Sequence, residues 1–467
     1  MIKQTPSGFS PRYRWKELGL LIVPFAILVV GTIQLVLIAA NSNQQTQFAL
    51  KNLPPVNSLT PVFGLIGVLL VANIFMSIFY RKADQVLLPL CGMLAGIGVL
   101  MATRLGPDLP FPDPRLGSKQ LLFVLVGVAA CMLTIFILRS VTWLERYKYT
   151  WAVLSLLLLL PSVINGIRTL HSAAPTHDSI SLGGLQLQPS EFLKISIVIF
   201  FAGYLSENRV MLSQGYLRLG KLRLPPLRQL GPLVLMLGVA LIFFLIVREL
   251  GIALLIYGLF LCMTYLASGK LAYVLTSLGI FAILAFIGYT LLSYVRQRFA
   301  VVGFNVVDWQ NWTAAQQQFA TNAGLQVVQG LIALSSGGIL GAGLGLGQPY
   351  VVPVIQSDMV ATALGEELGL AGMMAIVGIY LLIVYRGFRI AIESRDPFSK
   401  LLAAGLTSVF AIQTLIILAG NMKFMPLTGI PLPFISAGGS SLFANFIIIG
   451  MLLRISHNNA LEREGLA

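Results

Sequence analysis

The residues best suited to chemistry gather around one acid. Between Asp308 and Glu366 the chain carries a single carboxylate, Asp358, where a glycine-rich stretch, GGILGAGLGLG (337–347), and a polar turn give way to an apolar helix. Ser357 and Asp358 are both good helix caps, so capping is one reading of the acid. The other comes from cations that the hydropathy pattern puts on the same side of the apolar segments: Arg104, Arg168, Lys194, Arg248, Arg296, Arg298 and Lys423. Such a set could neutralise a diphosphate. A sugar donor with a diphosphate leaving group needs charge stabilisation and one base for the attacking hydroxyl, whereas most glycosidases need two carboxylates. One aspartate among several cations meets that demand. Proton-coupled transport could use the same residues, so both chemistries stay open.

Other candidates lie nearby in sequence. Counted on a helix from Asp358, Thr362, Gly365 and Gly369 share one small, polar face, which predicts a stripe lining a cavity. Glu366 and Glu367 sit two turns into that helix, as a packed polar network or as substrate contacts. Glu191 and Lys194, three apart in QPSEFLK, are spaced to pair, the alternative being Lys194 as a ligand for an anionic substrate. Arg248 is a further candidate ligand in the turn between two spans, and Ser436 and Ser440 are candidates in the hydroxyl-rich end of NMKFMPLTGIPLPFISAGGSS (421–441). Such proline- and glycine-broken backbone is tolerated at membrane depth only where protein buries it or a wet cavity meets it.

The glycines at 341, 343, 345 and 347 fit neither GxGxxG nor GxxxxGK[ST], so no nucleotide site is assigned; they read as tight turns or close helix contacts. Cys91, Cys131 and Cys262 lie inside apolar segments with no metal spacing, and His171, His177 and His457 form no pair. No protein metal site is therefore expected, although a divalent cation, Mg2+ or Mn2+, could bridge a diphosphate and acidic side chains.

The elements that must position these residues are membrane helices. Of 467 residues, 57% are hydrophobic and 10% charged, with a mean hydropathy of +0.86, which excludes a soluble domain of this size. Twelve spans are expected, at 18–40, 59–80, 86–103, 120–138, 149–165, 190–206, 231–247, 250–268, 271–293, 360–385, 400–420 and 440–456. The fold class is thus an all-α polytopic membrane protein. With the amino terminus inside, 21 of the 31 basic residues fall in inner loops, so both termini are expected in the cytoplasm and Asp358 outside. The net charge of +14 is dispersed over these loops, which argues orientation and no nucleic-acid partner. The long outer loop 294–359 carries an apolar run around 324–340 and is expected to be packed.

Four motifs in order, LQLQPSEFLK (185–194), GGILGAGLGLG (337–347), SDMVATALGEELGLAG (357–372) and TGIPLPFISAGGSS (428–441), resemble those of the SEDS family, the RodA, FtsW and SpoVE proteins. The resemblance covers roughly residues 86 to 456. It implies a ten-span catalytic core preceded by two additional transmembrane helices within residues 1–85, a large extracytoplasmic loop, and a short cytoplasmic tail, 457–467. It further implies an inverting peptidoglycan glycosyltransferase that polymerises lipid II in the bacterial plasma membrane for cell elongation or division. Undecaprenyl diphosphate would leave, and a class B penicillin-binding protein would be the partner. By the same resemblance Asp358 is the essential acid, with Lys194, Glu191, Arg104, Glu366 and Glu367 on motif positions. A lipid II flippase or a non-catalytic scaffold is the alternative. The sequence departs from the family in Gln356-Ser357-Asp358-Met359, where His-Thr-Asp-Phe is common, and in Ala437, where a tyrosine is common.

Overall fold

The computed structural model describes residues 13–42, 60–168, 180–182, 185–209, 217–219, 222–224 and 249–465, with isolated positions between 231 and 246. In order, α1 (Trp15–Ser42) and α2 (Thr60–Phe79) precede α3 (Leu87–Leu105), α4 (Leu116–Ile137), the short α5 (Thr142–Arg146), α6 (Lys148–Arg168) and α7 (Pro189–Glu207). Then follow α8 (Leu250–Ser268), α9 (Leu271–Leu291), α10 (Ser293–Gly303), α11 (Ala314–Thr321), α12 (Leu325–Gly337), α13 (Val360–Glu393), α14 (Pro397–Asn421) and α15 (Gly439–Arg463). Two antiparallel hairpins of three-residue strands, Ile180–Leu182 with Leu185–Leu187 and Leu217–Leu219 with Leu222–Leu224, are the strands among the described residues.

Eleven of the described helices are long and apolar enough to cross a membrane, and they coincide with eleven expected spans. The expected span 231–247 and the candidate Arg248 lie outside the described residues. The protein is a polytopic all-α membrane protein.

Which helix is central follows from how each side chain is matched. Helix α7 is buried over nearly its whole length, and two of its three charges, Glu191 and Lys194, pair within the bundle at 2.6 Å. Helix α9 is apolar all round and buries only Tyr273 and Gly288, so it stands at the periphery with Leu275, Ile283 and Phe286 outward. A helix can present such a surface only where the surroundings are themselves apolar.

The two amino-terminal helices dock into glycine notches of α3. Leu28 of α1 lies over Gly96 and Leu69 of α2 over Gly92, so close that an added Cβ would meet their methyl groups at 2.4 and 2.8 Å. Arg14, fully buried, locks the start of α1 to the turn after α2. Its guanidinium donates to the carbonyls of Tyr80 (2.9 Å), Ala83 (3.0 Å) and Asp84 (2.6 Å), and Glu17 balances the charge. The Asp84 carboxylate in turn pairs with Arg386 of α13. Lys82 and Glu464 also pair at this end, which brings both described termini together, opposite Asp358.

The longest span, α13, is broken at Gly369, whose φ of 67° and ψ of −172° belong to glycine almost alone. The break frees the carbonyls of Glu366 and Glu367, which accept from the amides of Ala342 (2.9 Å) and Gly343 (3.0 Å). It also frees the amides of Leu370 and Ala371, which donate to Gly338 and Ile339 at 3.0 Å each. All four groups are thereby paired, as an apolar setting demands. The exchange requires backbones in contact: an added Cβ at Gly369 would lie 2.3 Å from the Gly341 amide nitrogen. The expectation of close contacts for the glycine run is therefore met. Gly369→Ala should lower the thermal midpoint in detergent by several degrees, reflecting about 1–3 kcal/mol of backbone strain plus overlap. Gly378→Ala, in the same helix with open space around it, should be neutral or slightly stabilising. Equal midpoints for the two variants would remove the strain argument.

Candidate functional site

Asp358 lies in the turn just ahead of α13 and is half-buried. It does not cap the helix: the cap position is Met359, with no side-chain cap bond. The carboxylate instead accepts from Gln326 of α12, whose amide nitrogen lies 3.3 and 3.2 Å from its two oxygens, and from the Ser357 hydroxyl at 3.2 Å. Burial pushes its carboxyl above the ordinary carboxylate range, opposed by its own amide, Ser357, Gln326 and the charge of Arg298. A carboxylate so placed is a stronger base than a solvated one.

The backbone around the acid is held from three sides. Asn421, closing α14, donates to the Asp358 carbonyl at 3.1 Å. Ser436 donates to the Ser357 carbonyl, and the Ala437 amide donates to the Gln356 carbonyl at 2.8 Å. Arg298 of α10 donates to the Leu427 carbonyl at 3.0 Å, and Lys423 to the Phe304 carbonyl, tying α10 to the loop after α14. Two cations thus stand on the framework that carries the acid.

The stripe expected to line a cavity is covered. Thr362 and Gly365 are buried under α12, where an added Cβ at Gly330 would meet Thr362 at 3.2 Å and one at Gly337 would meet the Gly365 carbonyl at 2.1 Å. Small residues on both helices allow the backbones to approach, and this packing, with no cavity needed, explains the pattern.

Most of the other expected ligands also turn inward. Lys194, whose side chain is 3% exposed, meets Glu191 at 2.6 Å, Gln413 at 3.0 Å and Asn445 at 3.3 Å. Gln413 passes the link on to the Pro431 carbonyl at 2.7 Å. Glu191 and Lys194 thus form an ion pair inside the bundle, as their spacing predicts. Ser440 accepts from the Gln188 amide at 3.2 Å, and Ser436 accepts from the Leu432 amide at 2.7 Å; both are buried. Each hydroxyl thus satisfies a backbone amide inside the protein.

Arg104 and the two glutamates form a second cluster, at the glycine loop. Arg104 bonds Glu367 at 3.1 Å and the Gly347 carbonyl at 3.1 Å, and pairs with Asp108. Glu366 accepts from the Gln348 amide at 2.7 Å. The packed-network reading of these acids is the one observed, although each glutamate keeps one buried oxygen unpartnered. Among the described residues no group of three His, Cys, Asp or Glu side chains is placed to hold a metal ion, and Arg104 already supplies the positive charge here. The described residues do not form a protein-built metal site.

Gln326 and Asn421 were not among the expected site residues. Gln326 is a polar position at the start of the apolar run LQVVQGLIAL, and Asn421 follows the apolar end of a span. Polar side chains bordering apolar runs are a usable signal, but pairing them with Asp358 requires knowing that α12 folds back onto α13.

A family profile described as cell cycle protein, FtsW/RodA/SpoVE, matches residues 85–461. Peptidoglycan glycosyltransferase RodA of Mycobacterium tuberculosis is 35% identical over 464 residues, covering 97% of this chain and 93% of that protein. Stage V sporulation protein E of Bacillus subtilis is 30% identical over 386 residues, covering 80% of this chain and 96% of that protein. The fold is similar to a chain of a solved peptidoglycan synthase complex in which polymerization and crosslinking are coordinated, with a TM-score of 0.57 at 22% identity over 81% of this chain and 98% of that one. With four motifs in order and a profile match over most of its length, the chain belongs to the FtsW/RodA/SpoVE family of cell cycle proteins.

Proposed function

We propose that this protein is a peptidoglycan glycosyltransferase that polymerises lipid II at the outer face of a bacterial plasma membrane. The observation that carries the reading is the carboxylate of Asp358, uncommitted to helix capping, braced by Gln326 and Ser357 and raised in basicity by burial. In the reaction Asp358 takes the proton from the acceptor's sugar hydroxyl, and the freed oxygen pair attacks the donor's anomeric carbon. The bond from that carbon to the diphosphate oxygen breaks, and undecaprenyl diphosphate leaves with both electrons. Direct displacement inverts the anomeric centre. Arg298 and Lys423, on the framework around Asp358, are the cations to meet the growing negative charge, with Arg296 on the same helix as Arg298. Glu191, Lys194, Arg104, Glu366, Ser436 and Ser440 hold the backbone in place and do not touch the sugar.

The orientation is supported by the charge pattern: Arg81, Lys82, Arg386 and Arg389 belong to the end opposite Asp358, and basic ends face the cytoplasm. The names of the relatives support the activity. A class B penicillin-binding protein is the proposed partner, in keeping with the similarity to a chain of a synthase complex. The test is incubation of the purified full-length chain with lipid II, alone and with that partner, followed by gel separation of glycan strands. Long strands are expected. Absence of polymer in both reactions, together with transfer of lipid II between vesicle leaflets, would replace the enzyme by a flippase.

A further inference from the structure

We propose that α1 is a positioning element of the active site, with Gln34 as the residue that holds the glycine loop 341–347 against the break in α13. The family match begins at residue 85, so α1 lies outside it. Its contacts nevertheless reach the Arg104–Glu367 cluster at the glycine loop. Gln34 donates to the Leu344 carbonyl at 3.2 Å. Gly345, at a φ of +86°, is packed so closely that an added Cβ would meet Leu35 at 2.9 Å, Ile38 at 3.2 Å and the Arg104 Nε at 3.8 Å. Arg104 in turn donates to Glu367 at 3.1 Å. One layer of side chains therefore separates α1 from the Arg104–Glu367 pair.

The loop needs such a brace. Gly341, Gly343 and Gly345 all have positive φ, and glycine supplies no side chain to lock those conformations. Yet the loop amides of Ala342 and Gly343 are the donors that satisfy the carbonyls of Glu366 and Glu367 at the break. Drift of the loop would leave buried carbonyls unpaired and let the first turns of α13, which begin beside Asp358, shift. An amide side chain in the apolar run GTIQLVLIAA is itself costly unless paired, and the Leu344 carbonyl pairs it. At its other end α1 is tied to α13 through Arg14, the Asp84 carbonyl it binds, and the Asp84–Arg386 pair. The helix thus links the glycine loop at the break in α13 to the Arg386 end of that helix, as a strut.

The activity readout rests on the glycosyltransferase reading; the exchange readout does not. In the full-length chain, Gln34→Leu and Gln34→Met remove the donor while keeping an apolar helix, and Val30→Leu alters the exposed face of α1 as a control. Hydrogen exchange at the Ala342 and Gly343 amides should quicken about tenfold in both Gln34 variants, the scale of one lost hydrogen bond, and stay unchanged in Val30→Leu. With lipid II as substrate, kcat should fall by a similar factor while KM holds, since the loop positions groups and binds no substrate. Unchanged exchange at these amides overturns the brace whether or not the chain polymerises lipid II. Faster exchange with kcat unaltered overturns the positioning role.

Discussion

Asp358→Asn is expected to abolish glycan polymerisation from lipid II while leaving the protein folded. The amide keeps the shape of the side chain and its contact with Ser357 but cannot take a proton, so the loss is that of a general base, about 10²–10⁴-fold. The variant should also be at least as stable as the parent at neutral pH. Burial raises the native carboxyl above its ordinary range, so ionisation costs stability once the pH exceeds that raised value. Asparagine carries no such cost, and the two proteins should converge in stability as the pH falls and Asp358 protonates. Activity has the opposite sign, falling as the pH drops through the same raised value because only the ionised acid can act. Polymerisation at parental rate by Asp358→Asn, measured on purified protein, would remove the acid from the mechanism.

Lys194→Ala should be the most damaging single change to folding. It strips the cation from a site whose side chains are 3% and 7% exposed and leaves Glu191 charged and alone. Breaking such a buried pair costs about 3–5 kcal/mol, whereas replacing both partners is often close to neutral. The double variant Glu191→Gln with Lys194→Met should therefore recover most of the lost thermal midpoint and most of the polymerisation. A double variant that folds normally yet makes no polymer would return Lys194 to the role of a diphosphate ligand. The comparison works because the network Glu191–Lys194–Gln413 reaches the Pro431 carbonyl, inside the loop whose Ser436 and Ala437 hold residues 356 and 357. A substrate role and a framework role predict different outcomes only when the charge is removed in balance.

The sequence by itself determined the class of the molecule and singled out Asp358 as the candidate acid. Spans are legible because a helix in lipid must be apolar over about twenty residues, a local property that no fold can conceal. Asp358 stood out for a similar reason, as a lone carboxylate at the edge of such a span. The pairing of Glu191 with Lys194 was legible as well, since three residues on a helix is a fixed distance.

Only the tertiary structure decided what the other polar residues do. The stripe Thr362–Gly365 looks the same in sequence whether it lines water or seats a helix, and α12 folding back upon it settled the matter. Ser436, Ser440 and Arg104 read as candidate ligands in sequence, but Ser436 bonds the Ser357 carbonyl, Ser440 the Gln188 amide and Arg104 the Gly347 carbonyl. Those partners lie tens to hundreds of residues away along the chain, as do Gln326 and Asn421 from one another. Hydrogen-bond demand is written locally, whereas its supply depends on which helices the bundle brings together.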